Sequence, residues 1–110
     1  MSGILMVHTT CPDEASAARI AAHLVESRLA ACVRQSAPAT SLYRWQGALE
    51  SATEVALAIK TTRERYPELE AAIRALHPYE LPEILATEVS VGFGPYLRWI
   101  VDETQPPLLA

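Results

Sequence analysis

The stretch Thr53-Glu54-Val55-Ala56-Leu57-Ala58-Ile59-Lys60 constrains the fold more than any other part of this chain. Large apolar and small or polar residues alternate through it with a period of two, which is the period of a β-strand. Val55, Leu57 and Ile59 share one face, and Glu54, Ala56, Ala58 and Lys60 share the other. A face reduced to alanine at Ala56 and Ala58 lets something pack closely against it. Ser41-Leu42-Tyr43-Arg44-Trp45 repeats the β pattern upstream, and Gln46-Gly47 between the two runs is a turn signal. Together they predict a long β-hairpin whose outer half extends beyond what one short helix can cover. Tyr43 and Trp45 near its tip, with Ala56 and Ala58 further in, are read as an interface between subunits.

The rest of the chain supplies the elements around that hairpin. Ile4–Thr9 is a short, nearly continuous apolar run, predicted as a strand covered on both faces, with His8 as a hydrogen-bonded core histidine. Asp13 suits an N-cap, and Ala17, Ile20, Ala21, Leu24 and Val25 make one apolar stripe on a helix from Asp13 to about Leu29. Ala30–Val33 leads into a second strand, which Pro38 interrupts because a proline has no ladder donor. Tyr66–Leu76 is a second helix, with Pro67 tolerated in its first turn. His77-Pro78-Tyr79-Glu80-Leu81-Pro82 is a stiff connector, since each proline fixes its own φ and extends the residue before it. Glu83–Val89 follows as a strand. A loop with Gly92, Gly94 and Pro95 then opens a last helix, in which Tyr96, Trp99 and Ile100 align. Gln105-Pro106-Pro107 ends regular structure and leaves a loose tail to Ala110. The order β-α-β-β-α-β with an added helix predicts an α+β, ferredoxin-like sandwich: an antiparallel sheet with two helices on one face. It forms one domain over residues 1–110, with an ordered core of about 3–104.

Composition narrows the function. Nine basic and thirteen acidic residues give a net charge of −4, and Lys60 is the only lysine. Phosphate-backbone binding needs clustered Lys and Arg, so nucleic acid is not an expected partner. Cys11 and Cys32 form no C-x-x-C pair and are read as reduced thiols of a cytoplasmic protein. No apolar stretch approaches the roughly 20 residues of a membrane-spanning helix, so membrane insertion is not expected.

Taken together, several motifs resemble one family. They are Leu29-Ala30-Ala31-Cys32-Val33, Thr40-Ser41-Leu42-Tyr43-x-Trp45-x-Gly47, Glu54, Ile59-Lys60-Thr61, His77-Pro78-Tyr79-Glu80-x-Pro82-Glu83-Ile84 and Tyr96-Leu97-x-Trp99-Ile100. In this order they resemble the CutA divalent-cation tolerance family from about Ile4 to Asp102. The resemblance implies a ferredoxin-like subunit in a compact homotrimer, similar in architecture to the PII signalling proteins, with a role in tolerance of copper and other divalent cations. Copper binding in the family is linked to a first-strand cysteine and a doubled histidine; the matching positions here are Thr9 and Leu76-His77, so only His77 is kept. Arg34 stands where the family often has Asn.

Three kinds of chemistry follow as expectations. A Cu(II) site takes imidazole nitrogen and oxygen donors, so His77 with Glu80 and Glu83 is the candidate set for weakly bound copper(II) or another divalent cation, not required for folding. A small-ligand sensor of the PII type would use a cleft between subunits, with Trp45, Lys60 and Tyr79 as binding groups. A trimeric scaffold or anchor needs no site at all. Catalysis ranks last: Cys11 could be a thiolate at a helix start and His77 a base, but nothing in the sequence brings them together.

Overall fold

One fifteen-residue strand, β4 (Ala48–Thr62), pairs with three of the four other strands of the sheet. In the computed structural model, which describes residues 2–106, β4 is joined by β1 (Ile4–Cys11), α1 (Glu14–Glu26), β2 (Cys32–Gln35), β3 (Ala39–Trp45), α2 (Tyr66–Leu76), β5 (Leu85–Val89) and α3 (Gly94–Glu103). The antiparallel sheet has the order β2-β4-β1-β5, and β3 pairs with the outer part of β4. This is the split βαβ arrangement expected from the element order. The expected tail from Pro107 to Ala110 lies outside the described residues.

Local chemistry explains most element ends. Asp13 accepts from the Ser16 N–H at 2.7 Å and caps α1, filling one of the unpaired donors of its first turn. The helix stops at Glu26, short of the expected Leu29, because Arg28 takes a left-handed φ of 61° and the Leu29 and Ala30 N–H groups both turn back to the Leu24 carbonyl. Pro38 splits β2 from β3 as expected. In the gap, Ser36 bonds to Ala56 twice: its N–H donates to the Ala56 carbonyl, and its hydroxyl accepts from the Ala56 N–H, both at 2.9 Å. Gln46 and Gly47 carry φ values of 49° and 81°, the left-handed pair of a two-residue hairpin turn that matches strand twist. His77 ends α2 in an extended conformation, as the following proline dictates. β5 begins at Leu85, two residues later than expected. Its ladder with β1 runs only from Ile4–Val89 to His8–Leu85.

The two faces of the sheet differ. Leu5, Val7, Cys11, Val55, Leu57 and Ile59 face α1 and α2 and form the main core with Ala17, Ile20, Leu24, Leu69 and Ile73. Each fully buried Leu or Ile there contributes roughly 1.5–3 kcal/mol. On the other face, α3 covers one end, where Ile100 packs with Ile4 and Ala31. Beyond α3 this face lies open: register places Arg34, Ala58, His8 and Leu85 in one row across it. Coverage of β1 on both faces is therefore partial. His8 is half-buried on the open face and makes no side-chain hydrogen bond among the described residues, so it is not the bonded core histidine expected. The stripe expected in α3 also divides. Ile100 is buried, whereas Tyr96 and Trp99 stack on each other at 5.5 Å and stay about two-fifths exposed.

The hairpin of β3 and outer β4 projects from this body. The radius of gyration is 14.8 Å, against about 13 Å for a compact chain of this length. Leu42 and Leu49 on the hairpin are exposed by 70% and 67%, which burial within one subunit does not account for.

Candidate functional site

The proline connector and the hairpin bound a cleft of about 510 Å³. Tyr43 and Trp45 reach it from β3, Glu54 from β4, and Tyr79, Leu81 and Glu83 from the connector. Thr10 at the end of β1 and Glu83 also line a second, smaller cavity of about 200 Å³, where Ala56, Ala58, His8 and Arg34 lie on the open sheet face. The two hollows therefore adjoin.

Tyr79 is the organising side chain. Its hydroxyl donates to Glu54 Oε2 at 2.7 Å, and its own N–H donates to His77 Nδ1 at 3.1 Å. Burial pushes the Tyr79 phenol well above its ordinary range, and the hydrogen bond to Glu54 and the Glu54 charge push it further. It is neutral at any physiological pH. Glu54 as a residue is almost buried, at 9% exposure, and the phenol holds its carboxylate in place.

His77 is occupied on both sides. Because Nδ1 accepts from the Tyr79 N–H, Nε2 carries the proton and donates to the Thr10 carbonyl at 2.7 Å. The ring is 8% exposed and lies against Tyr79 with centroids 4.9 Å apart. It acts as a pin between β1 and the connector. Glu80 is exposed and does not line the cleft; Glu83 is exposed and does. No group of three or more His, Cys, Asp or Glu side chains placed to hold a metal occurs among the described residues. The expected set of His77, Glu80 and Glu83 is thus not assembled within one subunit.

The structure brings Trp45 and Tyr79 of the expected ligand cleft together but leaves Lys60 out. Lys60 lies further along β4, toward α3, where Nζ donates to the Tyr96 hydroxyl at 2.9 Å, 5.2 Å from the centre of that ring. It does not pair with Glu54. Of the expected interface residues, Tyr43 and Trp45 line the larger hollow, and Ala56 and Ala58 line the smaller one. Thr9 faces the helices, 1% exposed, with its hydroxyl unpartnered among the described residues, and Leu76 packs against the main core. Neither position opens to the cleft. Cys11 is buried and its thiol is pushed up by burial, then by Asp13 and Glu54, which opposes a reactive thiolate. Sequence reasoning missed the pairing of Glu54 with Tyr79. The signal available was an acidic residue interrupting the apolar and small positions of β4.

Comparison with known proteins fits this geometry. A family model described as the CutA1 divalent ion tolerance protein matches residues 5–103. The divalent-cation tolerance protein CutA of Thermus thermophilus is 44% identical over 90% of this chain and 96% of its own length. Protein CutA of Mus musculus is likewise 44% identical over 87% of this chain, but the match spans only 54% of the mouse protein. The crystal structure of CutA from Xylella fastidiosa superposes with a TM-score of 0.92 at 46% identity, covering 94% of this chain and 99% of that one. With its motifs, topology and nearly full-length match in agreement, the chain belongs to the CutA1 divalent ion tolerance protein family.

Proposed function

We propose that the chain serves divalent-cation tolerance, without catalysis, as a homotrimer that engages copper(II) weakly through the connector carboxylates Glu80 and Glu83. Family membership carries the role, since the Thermus relative is named for divalent-cation tolerance. The open sheet face and the projecting hairpin support the assembly: neighbouring copies would cover what one subunit leaves exposed. Glu80 and Glu83 are exposed oxygen donors on a stiff segment, whereas both nitrogens of His77 are already bonded inside the fold. An open site of oxygen donors gives modest affinity, with copper ahead of zinc in the usual divalent order. The free thiols of Cys11 and Cys32 suit a reducing, cytoplasmic setting, and no helix among the described residues is long and apolar enough to cross a membrane.

Copper titration by calorimetry tests the site. Glu80→Gln with Glu83→Gln is expected to remove most of the binding heat, and His77→Gln to retain it. Binding that survives the double substitution and disappears in His77→Gln would return the site to the histidine. A second reading, a PII-like small-ligand sensor, is favoured by the 510 Å³ cleft, which lies in the size range of small-molecule sites.

A further inference from the structure

The two hydrogen bonds of His77 admit only one protonation state. Nδ1 accepts from the Tyr79 N–H at 3.1 Å, and Nε2 donates to the Thr10 carbonyl at 2.7 Å. A neutral imidazole satisfies both bonds, whereas a second proton turns Nδ1 into a donor that faces another donor. The ring is 8% exposed, so little water is at hand to accept from that new N–H. No carboxylate among the described residues forms an ion pair with the ring. On the surrounding elements, Glu54 of β4 is engaged by the Tyr79 hydroxyl, and the Cys11 thiol beside Thr10 is kept neutral by burial. Arg74 on α2 and Glu80 on the connector are exposed. All of these bonds lie within one subunit, so association of copies neither supplies nor removes them.

We propose that His77 is a proton-operated latch: when neutral it fastens the connector of residues 78–82 to β1, and a proton gained on Nδ1 releases the Tyr79 N–H and loosens the connector. The sign follows from linkage. The latched form takes only the neutral base, whereas a released imidazole has the ordinary pKa of about 6.5. The latch is therefore intact above that pH and weakens as pH falls below it. Between about pH 7.5 and about pH 5.5 the released form gains about tenfold over the latched one. The released segment carries Glu80 and Glu83, so proton uptake frees two exposed carboxylates to move. This regulation goes beyond the tolerance role and needs no bound metal.

The experiment is amide hydrogen exchange on the assembled, metal-free protein, read on connector peptides and corrected for the intrinsic pH dependence of exchange. From about pH 7.5 to about pH 5.5, wild-type protection of residues 79–81 is expected to fall about tenfold, while that of β1 and β4 holds. His77→Gln does not titrate and is expected to show no such fall. Nitrogen-15 NMR of the wild-type imidazoles is a second measurement that does not depend on this variant folding. The chain has three histidines, and His8→Gln and His23→Gln identify the other two signals. His77 is expected in the Nε2–H form at the upper pH, gaining its second proton in step with the loss of connector protection. Constant protection across the range, an equal fall in His77→Gln, or a His77 ring already doubly protonated at the upper pH would overturn the proposal.

Discussion

The Tyr79 hydroxyl donates to Glu54 Oε2 at 2.7 Å and so ties the proline connector to the root of the hairpin. The same residue's N–H is held by His77, whose other nitrogen reaches the Thr10 carbonyl at the end of β1. Three separate segments of the chain are fixed by one tyrosine and one histidine, and the cleft takes its shape from them.

Tyr79→Phe removes the phenol that satisfies Glu54. Leaving a nearly buried carboxylate without this partner is expected to cost about 1–3 kcal/mol at neutral pH, read by denaturant unfolding. The alkaline limb tests the same contact. The folded state raises the Tyr79 pKa above its ordinary 10.0, so it favours the neutral phenol. The resulting stability is fully present below about pH 10 and is lost as pH rises through the folded value. Tyr66 is also raised and contributes to the slope in both proteins. The wild type should therefore lose stability above pH 10 more steeply than Tyr79→Phe; parallel curves would mean that the Glu54 contact does not bias the phenol.

Thr9 offers a test in the opposite direction. Its hydroxyl is buried among apolar side chains of the helix-covered face with no partner among the described residues. Replacing it with the similarly shaped valine removes an unsatisfied polar group, so Thr9→Val is expected to stabilise the fold by about 1 kcal/mol. A lower unfolding midpoint would show that the hydroxyl has a partner in solution, such as an ordered water.

Arg28 joins two helix ends. Its left-handed backbone terminates α1, and its Nε and Nη2 donate to the Gln105 and Asp102 carbonyls at 3.0 and 2.9 Å, capping the end of α3. Arg28→Gly keeps the backbone conformation without strain but loses the cap, whereas Arg28→Ala loses the cap and keeps the strain. Alanine should be the less stable of the two by about 1 kcal/mol. Hydrogen exchange near Thr104 should quicken in both, and protection equal to wild type would show that the α3 end does not depend on Arg28.

Much of the fold was legible from local chemistry. The Asp13 cap, the Pro38 interruption, the Gln46-Gly47 turn and the alternation around Leu57 each act within a few residues, and each appears where expected. The end of α1 was not legible, because a non-glycine residue in the left-handed region leaves no reliable mark in composition; the Arg28 guanidinium that accompanies it reaches 77 positions along the chain. The site was legible in part. The connector and Trp45 stood out by residue type, but which groups they meet depends on strand register. That register gives Glu54 to Tyr79 and the Thr10 carbonyl to His77, and sends Lys60 to Tyr96 on the last helix. A histidine beside two carboxylates in sequence suggests a metal site. Its two hydrogen bonds are a property of the folded chain alone.

The hairpin carries the prediction for assembly. Trp45 is 38% exposed and Tyr43 42%, beside the still more exposed Leu42 and Leu49. Placing a charge at such a patch desolvates it on association without a partner. Trp45→Glu is expected to shift the subunit equilibrium toward smaller species in sedimentation velocity while the far-ultraviolet spectrum stays unchanged. Retention of the wild-type sedimentation coefficient at micromolar concentration would remove the hairpin from the interface.

The central claim is that the open sheet face and the hairpin are completed by two further copies of the chain, and its most direct measurement is the mass of the wild-type protein in dilute buffer by multi-angle light scattering. The subunit mass is 12.0 kDa, and three copies (3 × 12.0) give about 36 kDa. The account predicts that mass, held on dilution through the micromolar range. A stable particle of 12.0 kDa would contradict it.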